Sequence, residues 1–124
     1  MEILTVLFVI AIVLFVVELV LTSKAKAGGH TTCTLSQEEV ILIVRGLVTK
    51  PLWTEVDGAG EVNMRRRVLP AGQGPVVSIE IESLDDGTTS VRVWMSRWYS
   101  QLGMAKGAEF AVLKIKKILG TLQQ

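Results

Sequence analysis

The sequence predicts an α+β protein in which one N-terminal transmembrane helix precedes a small domain. We expect the domain to contain a four- to five-stranded antiparallel sheet with two helices on one face. Three observations carry this prediction: a long apolar run at the N-terminus, a series of segments with alternating apolar and polar residues, and flanking segments with apolar residues at helical spacing. The predicted boundaries are 1–22 for the anchor, 23–29 for a linker and 30–124 for the domain.

The N-terminal run has the length and composition of a membrane anchor. Glu18 is the only charged residue between Ile3 and Thr22. At about 1.5 Å per residue this helix spans about 30 Å, the thickness of a bilayer's hydrocarbon core. A signal peptide has a basic start and a shorter apolar core, whereas this chain begins Met1-Glu2. Ala25–Ala27 fits the A-x-A cleavage pattern, but the sequence as a whole favours a retained anchor.

Charges around the run indicate its orientation. Lys24 and Lys26 follow it, and positive flanks tend to stay in the cytoplasm. We therefore expect the N-terminus outside and the domain in the cytoplasm. Cys33 is the only cysteine, which fits a reducing compartment and excludes an internal disulfide. Glu18 has two interpretations: its carboxyl group reaches the headgroups or is protonated, or it pairs with a polar group on a neighbouring membrane helix.

The domain is predicted to begin with a short strand and a helix. His30–Thr34 is the strand. Both Thr34-x-x-Gln37 and Ser36-x-x-Glu39 fit a capping box that would open the helix, and Pro51 would end it. The apolar positions of this helix are Val40, Ile43, Val44, Leu47 and Val48.

Four further strands follow by alternation. They are predicted at Leu52–Val56, Glu61–Leu69, Val76–Glu82 and Thr88–Trp98. Turns are expected at 57–60 and at Asp86-Gly87, a strong hairpin signal, and a loop at 70–75. The residues predicted to face the core are Val62, Met64, Val68, Val77, Ile79, Ile81, Val91, Val93 and Met95.

A closing helix is predicted from Met104 to Leu119, with Gly120 as its C-cap. Its apolar stripe comprises Ala108, Ala111, Val112, Ile115, Ile118 and Leu119, with Lys114, Lys116 and Lys117 largely off it. This element order over residues 30–122 is similar to that of helix-grip and TBP-like α+β folds. The likeness is one of element order without a motif, so it implies a fold and carries no function.

The outward face of the sheet holds the most informative residues. Hairpin pairing is expected to set Arg65 and Arg67 against Glu80 and Glu82, with Arg92 against one of these acids. A solvated face held by such charge pairs is the plain interpretation. The residues predicted to point outward are Glu61, Asn63, Arg65, Arg67, Ser78, Glu80, Glu82, Arg92, Trp94, Ser96 and Trp98.

Two tryptophans on a charged face favour a binding surface. Because Trp, Tyr and Arg are enriched at the energetic centres of interfaces, we predict a partner surface at Arg92, Trp94, Trp98 and Tyr99. Three alternatives remain open. A bulge near Ser96 would turn Trp98 inward, the final loop would cover both rings, or this edge would lie against the membrane. The predicted polar surround consists of Arg65, Arg67, Glu80 and Glu82.

The sequence lacks the signatures of catalysis. His30 and Cys33 are too few for a zinc site and have no third group to orient a base. The glycines at 58–60 and 72–74 are not followed by the residues of a phosphate-binding loop. We therefore expect a non-enzyme without cofactor or metal. The formal net charge is +1 and the residues after 22 are only slightly more positive, so charge alone does not imply nucleic acid.

Three functional hypotheses follow. The first is an accessory subunit that docks on a larger membrane complex, or on its own copy, through the outward face. The second is binding of an apolar ligand such as a lipid. The third and weakest is contact with anionic lipid or nucleic acid through Arg65, Arg67 and Arg92. The cavity of the second hypothesis would be lined by Val77, Ile79, Val91, Val93, Val112 and Ile115.

Overall fold

The protein is an α+β structure with an apolar N-terminal helix and a five-stranded antiparallel sheet. A computed structural model describes residues 2–67, 74–98, 100–101, 104–105 and 107–123. The helices are α1 (Glu2–Ala27), α2 (Gln37–Gly46) and α3 (Ala108–Leu122). The strands are β1 (Gly29–Cys33), β2 (Trp53–Glu55), β3 (Val62–Arg66), β4 (Val76–Ser83), β5 (Thr89–Arg97), β6 (Ser100–Gln101) and β7 (Met104–Ala105).

The sheet has the order β1-β5-β4-β3-β2, so the first strand lies beside the fifth. Val93 of β5 faces Gly29 of β1 on one side and Ile79 of β4 on the other. The Leu84–Thr88 turn that joins β4 to β5 contains Gly87 at φ 84°, and the Asp86 side chain accepts the Thr88 N–H at 3.0 Å. The hairpin predicted at this position is confirmed.

Helix α1 is longer than the predicted anchor. Residues 3–17 are all exposed, and by length and composition the helix could cross a membrane. It continues through Ala27, so the segment expected to be a linker is helical, and Gly28 alone separates α1 from β1. The last turns of α1 pack against α3 and β5, burying Thr22 and Ala25, which explains why this short segment stays helical.

Helix α2 begins at the second of the two predicted caps. The Glu39 N–H donates to Ser36 Oγ at 3.2 Å, which satisfies one of the free donors at the helix start. The helix ends at Gly46, earlier than the predicted stop at Pro51. Leu47 and Val48 instead donate to carbonyls three residues back, which tightens the chain into a turn before β2.

The predicted core is confirmed for the described residues. The inward side chains of the three central strands are buried, and they meet Val40 and Val44 of α2 and the buried stripe of α3 in one cluster. Both helices therefore cover one face of the sheet. The buried strand residues are Val62, Met64, Val77, Ile79, Ile81, Val91, Val93 and Met95. Val68 lies outside the described residues.

Helix α3 differs from its prediction at both ends. Met104-Ala105 pairs with Ser100-Gln101 in a short hairpin, and the helix starts only after Gly107, which has φ 81°. The C-terminal end lies beyond Gly120, which is inside the helix, because Leu122 is buried in the core and Gln123 forms the cap.

Candidate functional site

The outward sheet face carries an exposed cluster beside the α1–β1 junction. We call His30, Glu80, Ser90, Arg92 and Trp94 the outer patch. Arg92 lies directly between His30 on β1 and Glu80 on β4, and its guanidinium carbon is 4.5 Å from the Trp94 ring centroid. His30 Nε2 and Ser90 Oγ are 2.6 Å apart. This cluster combines a cation, an acid and a half-buried aromatic ring on rigid strands.

Register places Arg65 and Arg67 away from the outer patch, whereas Glu82 pairs with Ser90 and lies at the edge of the patch. Arg65 pairs with Val76, at the start of β4, whereas Glu80 and Glu82 lie towards its end. Arg67 lies past the end of β3, and its N–H donates to Leu52 O at 2.7 Å. The predicted pairing of these arginines with the two acids is therefore wrong. Only the expected position of Arg92 opposite Glu80 is confirmed. Among the described residues, these two side chains form no ion pair within 4.0 Å.

A buried polar network occupies part of the face expected to be solvated. Asn63 is 4% exposed and Ser78 is fully buried. Ser78 Oγ donates to Asn63 Oδ1 at 2.6 Å and lies 2.6 Å from Ser96 Oγ. Asn63 also exchanges two hydrogen bonds with the Gly60 backbone, at 2.9 and 3.0 Å. These residues point outward as predicted. They are buried instead of exposed because the β2–β3 turn folds onto Asn63.

Trp98 does not join the outer patch. Val77 pairs with Met95 and Val76 with Arg97, so Ser96 is an extra residue in β5. This bulge reverses the alternation beyond it. Trp98 packs against the hydrophobic core instead, with Lys26 Nζ of α1 4.7 Å from its ring centroid. The expected outward position of Trp98 is therefore wrong, and the alternative of a bulge near Ser96 that turns Trp98 inward is confirmed. Tyr99 lies outside the described residues.

A second feature is a cationic cleft between α3 and the β2–β3 edge. Its volume is about 240 Å³. The Arg66 guanidinium carbon lies 4.0 Å from the Phe110 ring centroid, so this arginine reaches the helix-covered side of the sheet. We define the cationic cleft by its lining residues, which are Thr49, Leu52, Trp53, Arg66, Phe110, Leu113, Lys114 and Lys117.

Lys114 is the buried cation of this cleft, although it was predicted to lie off the apolar stripe. Its Nζ donates to Leu47 O at 2.8 Å and lies 5.0 Å from the Trp53 ring centroid. Burial lowers the pKa of Lys114, and the neighbouring charges of Lys117 and Arg66 lower it further. In the described part of the chain, none of these three cations has a carboxylate within 4.0 Å. The cleft therefore holds uncompensated positive charge.

The residues expected to line an apolar cavity fill the space themselves. Val77, Ile79, Val91 and Val93 are fully buried and belong, with Ile115, to the core cluster, against which Val112 also packs. This arrangement favours a packed core over an internal lipid cavity.

The predicted membrane residues lie on the last turns of α1. Glu18 is half-buried and close enough to Glu109 of α3 for the two carboxyl groups to interact electrostatically. Lys24 and Lys26 are exposed, and Lys26 reaches back to Trp98. The described residues contain no group of three or more His, Cys, Asp or Glu side chains that could hold a metal ion.

Two of these features carried a signal in the sequence. Lys114 lies three residues after Ala111 and four before Ile118, so helical spacing already places it on the buried stripe. Asn63 lies three residues after Gly60, one of the spacings at which an Asn side chain hydrogen-bonds to a preceding backbone group.

Comparison of this chain with protein-family models, curated proteins and solved structures finds no match. The functional conclusion therefore rests on the geometry described above.

Proposed function

We propose that this protein is a single-pass, membrane-anchored, non-enzymatic accessory subunit that docks on another membrane-protein subunit through the outer patch. The observation that carries the proposal is α1, because a surface of exposed apolar side chains along residues 3–17 is costly in water and stable in lipid. The same helix continues into the packed domain, so the domain is held at a fixed position relative to the anchor.

Flanking charge supports a cytoplasmic domain with the N-terminus outside. Lys24 and Lys26 follow the apolar segment, and Glu2 precedes it. Cytoplasmic placement also suits Cys33, which is a free thiol.

The position of the outer patch favours a partner within or next to the membrane. A Cβ atom at Gly28 would lie 2.7 Å from Trp94 Cα, so the patch adjoins the end of α1. Gly28 follows Thr22 by six residues, a rise of about 9 Å if helical. Trp94 under Arg92 supplies the aromatic and cationic anchor typical of interface centres, and Glu80 and His30 supply a polar rim.

We also propose that the domain is of the helix-grip type. The pairing of β1 with β5 and the packing of α3 across β1, β5 and β4 support this assignment.

Trp94→Ala is expected to release the partner while the protein stays folded and in the membrane fraction. Loss of an interface tryptophan costs about 2 kcal/mol or more, which is about thirtyfold in affinity. The measurement is the native mass of the full chain extracted in mild detergent, before and after substitution. Leu42→Ala is the matched control, because Leu42 is 71% exposed on α2 and distant from the patch. Equal co-migration of wild type and Trp94→Ala with a partner would contradict the proposed surface, as would a wild-type chain without any partner.

A further inference from the structure

The packing of α1 on α3 fixes which end of the domain lies nearest the membrane. Glu18 is close to Glu109 near the start of α3. A Cβ atom at Gly29 would lie 2.3 Å from Leu119 Cδ1, near the end of α3. Helices α1 and α3 are therefore parallel. The first turns of α3 lie alongside the last apolar turns of α1. If α1 spans the bilayer as proposed above, the start of α3 lies at the membrane surface.

Strand pairing shows which ends of the strands lie on the same side of the domain as the start of α3. Arg97 and Arg65 both pair with Val76, and Arg66 pairs with Trp53. These ends meet the start of α3, because Arg66 lies over the Phe110 ring. The end of the domain nearest the membrane is therefore basic.

The opposite end of the domain is acidic. The β4–β5 turn contains Asp85 and Asp86, and the start of α2 reaches the end of β4 through a hydrogen bond from Gln37 Nε2 to Ile81 O at 3.4 Å. Glu38 and Glu39 lie in that first turn of α2. This separation of charge directs the basic end towards an anionic surface.

We propose that the cationic cleft binds the phosphate headgroup of an anionic phospholipid from the membrane in which α1 is anchored. This inference rests on the proposed membrane anchoring. Arg66 and Lys117 have no carboxylate partner within 4.0 Å among the described residues, and buried Lys114 adds charge from beneath. The guanidinium of Arg66, held against Phe110, retains donors for phosphate oxygens.

Exposed apolar side chains beside these cations favour a lipid over a soluble phosphate ester. Leu113 is 64% exposed and Leu52 is 49% exposed, and both line the cleft. Alignment of α3 with α1 places Leu113 near the level of Thr22, the predicted edge of the hydrocarbon core. The headgroup zone begins there and is about 6 Å deep. At this level the apolar side chains would contact the acyl chains of a bound lipid, and the cations would contact its phosphate group.

The test is a lipid titration of the full chain in nonionic detergent, read by native mass spectrometry. The probes are phosphatidylglycerol and phosphatidylcholine, with inorganic phosphate as a competitor. We expect one phosphatidylglycerol to bind about tenfold more tightly than phosphatidylcholine. Arg66→Gln/Lys117→Gln should abolish this preference, and exposed Lys117→Gln alone should reduce it without disturbing the fold. The control Lys116→Gln/Arg97→Gln removes equal charge from exposed positions outside the cleft and should retain the preference.

Three results would overturn the inference: equal binding of both lipids, equal loss in the control double variant, or complete displacement by millimolar inorganic phosphate, which would indicate a soluble phosphate ligand. Failure of membrane anchoring is recognised separately. Because α1 carries the anchor, every variant should remain in the membrane fraction, and recovery of the wild type outside membranes would contradict the proposed function whatever the lipid preference.

Discussion

Gly28→Ala is expected to lower the free energy of unfolding by about 2–5 kcal/mol. Gly28 has φ 64°, a conformation that costs other residues about 1–2 kcal/mol. Its new Cβ atom would also lie 1.9 Å from Val93 O, a backbone atom of the central sheet that has little freedom to move. The substitution should therefore separate the end of α1 from β5 and loosen the connection between α1 and the domain.

Gly87→Ala is the matched control for this prediction. Gly87 has φ 84°, and nothing lies within 4 Å of a Cβ atom built on it. The Gly87→Ala substitution should lower the free energy of unfolding only by the cost of the backbone conformation, about 1–2 kcal/mol. Chemical denaturation of the full chain in detergent, followed by tryptophan fluorescence, measures both losses. Equal destabilisation by the two substitutions would contradict the close α1–β5 junction.

Asn63→Ala is expected to cost about 3 kcal/mol, because it removes the partners of two part-buried Gly60 backbone groups, at about 1–3 kcal/mol each, and one of the two partners of buried Ser78 Oγ. Asn63 Oδ1 accepts from the Gly60 N–H and from Ser78 Oγ, and its Nδ2 donates to Gly60 O. The substitution should release the β2–β3 turn as well as expose the Ser78 hydroxyl group.

Ser90→Ala provides the comparison on the same sheet face. Ser90 lies 2.6 Å from His30 Nε2 through its hydroxyl oxygen, but that contact is exposed to solvent. Water replaces the lost hydrogen bond, so we expect a change of only about 0.5–1 kcal/mol. Urea unfolding of both variants in parallel measures the two losses in free energy of unfolding. A loss at Asn63 no larger than that at Ser90 would show that the network contributes little.

The sequence predicted much of the fold because alternation and helical spacing are local signals. The order of α2, the five strands of the main sheet and α3 and the inward face of β4 and β5 followed from them, whereas the short β6–β7 hairpin did not. The bulge near Ser96 was only one open alternative, because a bulge depends on how β5 pairs with β4. One extra residue there was enough to remove Trp98 from the predicted surface.

The candidate sites were predicted less completely because they depend on contacts between distant segments. The outward direction predicted for Arg92 and Trp94 agrees with the structure, since both residues precede the bulge. The cationic cleft joins Arg66 of β3 to Lys114 and Lys117 of α3, and no spacing along the chain brings these residues together. The third sequence hypothesis named Arg65, Arg67 and Arg92 as an anionic contact, whereas the structure places Arg66 in the cleft.

The central claim is that α1 anchors the domain with its basic end against the bilayer. Depth-dependent quenching of a fluorophore in reconstituted full-length protein tests this most directly. One fluorophore is attached to the native Cys33. This residue pairs with Thr89 at the end of β1 that lies towards the acidic end of the domain. The other goes on Leu113→Cys in a Cys33→Ser background. Lipids spin-labelled at the headgroup should quench the label at 113 strongly and the label at Cys33 weakly. Equal quenching, or stronger quenching at Cys33, would contradict the account.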